Sequence, residues 1–288
     1  MGALIEELTR IRSCDPDRIA RVLADRPRAD LASEGRLLVI ACDHPARSAL
    51  GAGPDPMAMA SREDLLRRCV AALSRPGVNG FLGTADLIED LALLGALDGK
   101  LVWGSMNRVG LQGAAFEFDD RFGAYDAEGI AAAGLNGGKM LTRIDYDDPA
   151  TARTLEASAR AVDSLTRRGL NAMIEPFVSR REDGRVINDL TPDAVIRSIS
   201  VAQGLGSSPA RTWLKLPCVE DMGHVMESTT LPSLILGGEV SRDPQAVRAA
   251  WARALALPNV RGLVIGRSLL YPPDDNVEAA VDNAVELL

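Results

Sequence analysis

The chain has 288 residues, 47% hydrophobic and 25% charged, with a net charge of −8. That composition fits a soluble globular protein with a large core. The acidic balance argues against nucleic acid as the main partner, which would favour a basic patch. It leaves a phosphorylated small molecule open, because a few local arginines decide that. The four cysteines form no CxxC pair, and two histidines are too few for a three-histidine zinc site. No apolar run is long enough to span a bilayer, and the N-terminus lacks a signal peptide's apolar core. These features predict a cytoplasmic protein with reduced thiols and no membrane partner.

Residues 3–28 read as helices, broken at Asp15-Pro16-Asp17. From residue 36 short apolar runs alternate with segments of helical period. The strand candidates are residues 36–42, 78–82, 100–104, 138–144, 172–178, 212–217, 233–237 and 262–266. Helical stretches are read at 61–74, 85–97, 127–133, 151–168, 191–203, 244–255 and 276–288. Strands apolar throughout, alternating with helices, indicate a parallel sheet covered on both faces. Eight such units predict a single (β/α)8 TIM barrel over residues 1–288, with residues 1–34 as an N-terminal helical cap. The rival open sheet announces itself by a glycine-rich loop after its first strand. Here that strand runs into Ala41-Cys42-Asp43-His44-Pro45, with no GxGxxG.

Three of these apolar runs contain a charge where a hydrophobe is expected. Lys215 lies in Thr212-Trp213-Leu214-Lys215-Leu216-Pro217, Lys139 in Gly138-Lys139-Met140-Leu141, and Glu175 in Met173-Ile174-Glu175-Pro176. A buried ammonium ion is costly unless it is paired or used. Residues at the C-terminal ends of barrel strands line the active site. Those ends supply Asp43, Ser105, Asn107, Lys139, Arg143, Glu175, Lys215, Glu239 and Arg267. Two ammonium groups side by side disfavour each other's charged form, and a partly neutral lysine can attack a ketone. Glu175, between the two lysine strands, can balance charge and move protons. The plainer readings are a solvent-reaching Lys139 at a strand start, a Lys215 snorkelling to the barrel bottom, a merely ion-paired Glu175 and an Asp43 that caps a turn. His44 reads as a loop residue.

Gly237-Gly238 and Gly266-Arg267 end the seventh and eighth strand candidates. Barrels often bind phosphate there, through backbone N–H groups and, here, a guanidinium. Arg143 shares the parity of Lys139 and lies roughly 13 Å further along the strand, a place for a substrate anion near the mouth.

The segments around Lys139, Glu175-Pro176, Leu214-Lys215-Leu216-Pro217 and Gly266-Arg267-Ser268 resemble the class I tagatose-1,6-bisphosphate aldolase group. They also resemble the aldolases for sulfofructose phosphate and for inositol-catabolic sugar acids, including an actinobacterial barrel group tied to inositol-degradation gene clusters. The resemblance spans roughly residues 36–270. It implies a Schiff base on Lys215, proton transfer assisted by Lys139 and Glu175, and an active-site aspartate at Asp43. The segment Thr142-Arg143-Ile144-Asp145 departs from the tagatose pattern, which continues into tyrosines. The actinobacterial likeness therefore points to 5-dehydro-2-deoxygluconate 6-phosphate, cleaved to dihydroxyacetone phosphate and malonate semialdehyde. Tagatose-, fructose- or deoxyribose-phosphate substrates are the alternative.

The expectation is thus a lyase without metal or cofactor, acting on a phosphorylated keto sugar or keto sugar acid. Homo-oligomerisation stays open. Two further readings compete. One is a magnesium-dependent lyase with Asp43, Glu175 and Glu239 as ligands. The other is a noncatalytic sugar-phosphate sensor.

Overall fold

The computed structural model describes residues 2–238, 240 and 243–288. In these, β1 (Leu37–Cys42), β2 (Gly80–Gly83), β3 (Leu101–Ser105), β4 (Gly137–Ile144) and β5 (Asn171–Glu182) run in order around a cylinder. A short β6 (Arg185–Asn188) follows, then β7 (Thr212–Leu216), β8 (Ser233–Leu236) and β9 (Val260–Ile265). Eight strands pair in parallel, and the β4–β5 and β1–β9 ladders close the ring. The protein is a (β/α)8 TIM barrel. Among the described strands only β6 lies outside it, pairing antiparallel with the overhanging end of β5.

That hairpin was not anticipated. Its turn is Asp183-Gly184, both at positive φ. This is the conformation a two-residue hairpin turn requires, and Asp-Gly is among the pairs that adopt it most readily. Strand five therefore runs four residues past the expected end at Val178.

The helices are α1 (Ala3–Cys14), α2 (Asp17–Asp25), α3 (Arg62–Leu73), α4 (Ala85–Leu93), α5 (Ala127–Ala132) and α6 (Ala150–Arg167). They continue with α7 (Pro192–Gln203), α8 (Met222–Met226), α9 (Pro244–Leu255), α10 (Arg267–Leu270) and α11 (Val277–Val285). Polar side chains mark several starts: Ser61, Asp126 and Thr191 accept hydrogen bonds from the backbone N–H three residues on, satisfying donors the first turn leaves open.

The core has two layers, set by strand parity. Side chains such as Leu38, Ile40, Phe81, Val102 and Ile174 face outward against the helices. Leu37, Val39, Leu101, Trp103, Met173 and Val264 fill the inside of the barrel. Trp103 is fully buried and donates its Nε1–H to Asn171 at 2.7 Å. The interior is tight: a Cβ on Gly262, at φ 143°, would stand 2.1 Å from the carbonyl oxygen of Leu37.

Residues 26–31 close the bottom. The buried Arg26 donates to the carbonyls of Leu97, Lys100 and Gly134, while Ala29 and Leu31 pack beneath the inner layer. With that end plugged, only the C-terminal end of the barrel remains for a site. Among the described residues no helix is long and apolar enough to cross a membrane.

Candidate active site

The inward parity that stacks apolar side chains low in the barrel delivers polar ones higher up. Leu37, Val39 and Ala41 lead to Asp43, Leu101 and Trp103 to Ser105, Met173 to Glu175, and Trp213 to Lys215. Lys139 is 1% exposed and Lys215 4%, so neither reaches solvent.

The charged groups form a chain of alternating sign. Lys215 Nζ lies 2.9 Å from Glu175 Oε1, and Lys139 Nζ contacts the other oxygen, Oε2. Lys139 Nζ is also 3.1 Å from Asp43 Oδ2, which is 3.0 Å from Arg108 Nη1. Ser105 donates its hydroxyl to the same Asp43 oxygen at 2.6 Å. Asp43 thus joins the site rather than capping a turn. The order is Arg108, Asp43, Lys139, Glu175, Lys215, three cationic residues against two acidic ones.

Burial and pairing compete at each member. Burial favours the neutral acid at Glu175, but the two lysines outweigh it and hold its pKa at about 2. Burial acts likewise on Asp43, where Arg108, Lys139 and Lys215 keep the carboxyl well below its usual range. At Lys139 burial wins over both carboxylates and pulls the ammonium down to about 8. His44, next to Asp43, is held neutral by burial, with a pKa of about 3. Its Nδ1 stands 4.0 Å from Asp43 Oδ1. The arrangement therefore contains two carboxylates held ionised and, at Lys139, an ammonium that burial pulls down to about 8.

The glycines sit at an adjacent corner. Gly237 follows β8, and a Cβ there would meet Ile265 Cγ2 at 2.5 Å and Ser268 Oγ at 3.0 Å. Gly238 has φ +68°, a conformation that favours glycine. Gly266 follows β9, and its Cβ would collide with the carbonyl of Ala41 at 2.4 Å. Arg267 Nε and Ser268 Oγ are buried without a hydrogen-bond partner among the described residues. His44 connects the two corners, since its Cε1 would lie 3.1 Å from a Cβ on Gly266.

Residues 35–285 match the Cgl0159-like family. The chain belongs to that family. Cgl0159 of Corynebacterium glutamicum, whose crystal structure is known, shares 50% identity over all of this chain and 97% of its own, with a TM-score of 0.96. More distant is a Schiff-base-forming fructose-1,6-bisphosphate aldolase, 17% identical, TM-score 0.66, over 93% of this chain and 99% of that one. An archaeal fructose-1,6-bisphosphate aldolase with its catalytic lysine bound to the carbinolamine intermediate is 16% identical, TM-score 0.65, over 93% and 98%. At such identities the likeness establishes the shared fold. A search of curated proteins finds no match.

Two features of this Cgl0159-like chain lay beyond the sequence reading. Arg108 follows the last inward-facing position of the β3 segment, so strand parity assigned it no role. It reaches the site because Asn107 imitates a strand residue: its side chain accepts from Leu141 N at 2.8 Å and donates to Leu141 O at 2.6 Å. That pins the following residue beside Asp43.

Arg143, by contrast, is engaged away from the chain of charges. Its Nη1 bonds Glu117 Oε1 and its Nη2 bonds the Glu117 carbonyl, both at 2.6 Å. Arg47 Nη2 reaches the same Glu117 carboxylate at 3.0 Å. Arg143 thus fastens the 106–126 loop over β4, and a substrate anion would have to displace Glu117 to reach it. Among the described residues no group of three His, Cys, Asp or Glu side chains is placed to hold a metal. Glu239 lies outside the described residues.

Proposed function

We propose that the protein is a class I aldolase, a lyase that cleaves a carbon–carbon bond through a Schiff base on Lys215. One observation carries this reading: two buried lysines share the two oxygens of a single glutamate at the open end of a barrel. Burying such a network costs stability that hydrophobic side chains would not forfeit, which argues for chemistry. The fold shared with Schiff-base aldolases supports it.

In the reactive form Lys215 is neutral, and its proton has passed through Glu175 to Lys139, the amine tuned to about 8. Lys215 attacks the substrate ketone. Loss of water, with a proton supplied by Lys139, leaves a cationic iminium. Asp43 or Glu175 takes the proton from the hydroxyl beside the bond to be cleaved. The bond's electron pair moves into the iminium, an aldehyde departs and an enamine remains. Protonation at carbon and addition of water release the ketone and restore Lys215. Acid–base help of this type is typically worth about 100- to 10,000-fold.

The substrate class we assign is a phosphorylated keto sugar or keto sugar acid. Its phosphate would rest on Gly237, Gly238, Gly266 and Arg267, where an unpartnered guanidinium N–H is available. The narrower reading, 5-dehydro-2-deoxygluconate 6-phosphate within inositol catabolism in the cytoplasm, rests on the sequence resemblance. A fructose-type bisphosphate is the alternative favoured by the structural neighbours. The test is a panel of phosphorylated ketohexoses and keto sugar acids, followed by release of triose phosphate. EDTA-insensitive cleavage of at least one is expected. Cleavage abolished by EDTA and restored by magnesium would refute the Schiff-base route.

A further inference from the structure

Among the described residues Arg108 bonds only to its own neighbour and to one member of the chain of charges. Its Nε donates to the carbonyl of its own neighbour Asn107 at 2.5 Å, and its Nη2 is buried without a partner. Its remaining contacts all go to Asp43. Nη1 lies 3.0 Å from the carboxylate Oδ2 and 3.2 Å from the backbone carbonyl. A buried guanidinium kept for packing would satisfy its N–H groups more evenly. Beyond the bond to its own neighbour, this one is anchored on a single residue, on both its side chain and its main chain.

The neighbours show what that anchoring does. Asp43 Oδ2 is shared by Ser105, Lys139 and Arg108. Of these donors, Lys139 is the one that exchanges its proton near neutrality. Without a second cation, each deprotonation of Lys139 would strip Asp43 of its counter-charge, and the two groups would titrate together. An arginine stays charged throughout. Ser105 and Asn107 hold the segment in register, so the charge is delivered in fixed geometry.

We propose that Arg108 is a positioning residue that keeps Asp43 an oriented carboxylate while Lys139 gains and loses its proton. The inference rests on the Schiff-base reading and assigns Arg108 a role within it. The charged groups acting on Lys139 are Asp43 after β1, Arg108 from the β3 segment, Glu175 on β5 and Lys215 on β7, while Ser105 and His44 stand against Asp43. Removing Arg108 takes a repelling charge from Lys139 and leaves Lys139 as the one cation bonded to Asp43 among the described residues. Both changes hold the proton on Lys139 more tightly.

The experiment is the initial rate of borohydride trapping with dihydroxyacetone phosphate, measured against pH for the wild type, Arg108→Gln and Arg108→Lys. Thermal unfolding of each variant checks its folding. The wild-type rate should rise with pH through a limb near 8, where Lys139 becomes neutral. In Arg108→Gln the limb should move up by roughly one pH unit, with a lower plateau. Arg108→Lys, which keeps the charge, should bring the limb back to the wild-type position. A lowered plateau with the limb unmoved in Arg108→Gln would make Arg108 merely structural and overturn the proposal. Should Arg108→Gln not fold, a shifted limb in a folded Arg108→Lys would overturn it equally. Failure of the Schiff-base reading looks different: the wild type itself would not be trapped.

Discussion

The lower and upper halves of the barrel interior are built by the same strands with opposite chemistry. Below, Leu37, Val39, Leu101, Trp103, Met173 and Val264 fill the space with apolar volume, and Trp103 meets its single polar need through Asn171. Two residues beyond the inward-facing Ala41, Trp103, Met173 and Trp213 stand Asp43, Ser105, Glu175 and Lys215. The lower layer stabilises the fold by removing surface from water. The upper layer costs free energy to bury, and its charges are tolerable only because each is paired. One strand pattern thus yields a rigid base and a reactive lid, separated by about 7 Å along each strand.

Substitutions in the two layers should separate stability from chemistry. The largest effect is expected for Glu175→Gln, which removes the bridge between the lysines: activity should fall by about 100- to 10,000-fold in steady-state assays. The fold should persist in circular dichroism. Lys139→Met should lose roughly 100-fold or more in rate, because the exchangeable proton is gone. Loss of the pH limb near 8 would accompany it. If the limb survived, Lys139 would not be the titrating group. In the lower layer, Trp103→Ala should cost about 3–5 kcal/mol in denaturant unfolding. The residual folded enzyme should retain its pH profile. A change of profile would break the separation of layers.

Acid sharpens the same contrast. Glu175 has a folded pKa of about 2 against 4.5 ordinarily, so its pairing stabilises the fold above about pH 4.5. That contribution is lost as pH falls towards 2. The stability gap between wild type and Glu175→Gln should close over this window, whereas the gap for Trp103→Ala should change little. The smallest effect is expected at the hairpin. Gly184→Ala, at φ +77°, should cost roughly 1–2 kcal/mol, with activity unchanged.

The sequence made the barrel legible because parity and apolar runs are local properties, and eight of them recur in order. It also exposed Lys139, Glu175 and Lys215, since a charge inside an apolar run stands out at once. What it could not convey is which oxygen meets which nitrogen. The lysines' proximity and Glu175's place on the strand between them were foreseeable, but that each lysine takes a different oxygen of Glu175 depends on the packing of β4, β5 and β7. Arg108 escaped because the strand ends at Ser105 and parity lapses beyond it. Its placement depends on the Asn107–Leu141 pairing across 34 residues. Arg143 had the right parity, yet the partner that occupies it, Glu117, comes from a loop with no periodic signal. The β6 hairpin was readable from Asp183-Gly184 but hidden behind a strand that looked complete at Val178.

The central claim, that Lys215 is the nucleophile, is tested most directly by incubating the protein with dihydroxyacetone phosphate, reducing with borohydride and mapping the adduct by mass spectrometry. The account predicts a single reduced adduct on Lys215, absent from Lys215→Ala. An unmodified wild-type protein, or an adduct on another lysine that persists in Lys215→Ala, would contradict it.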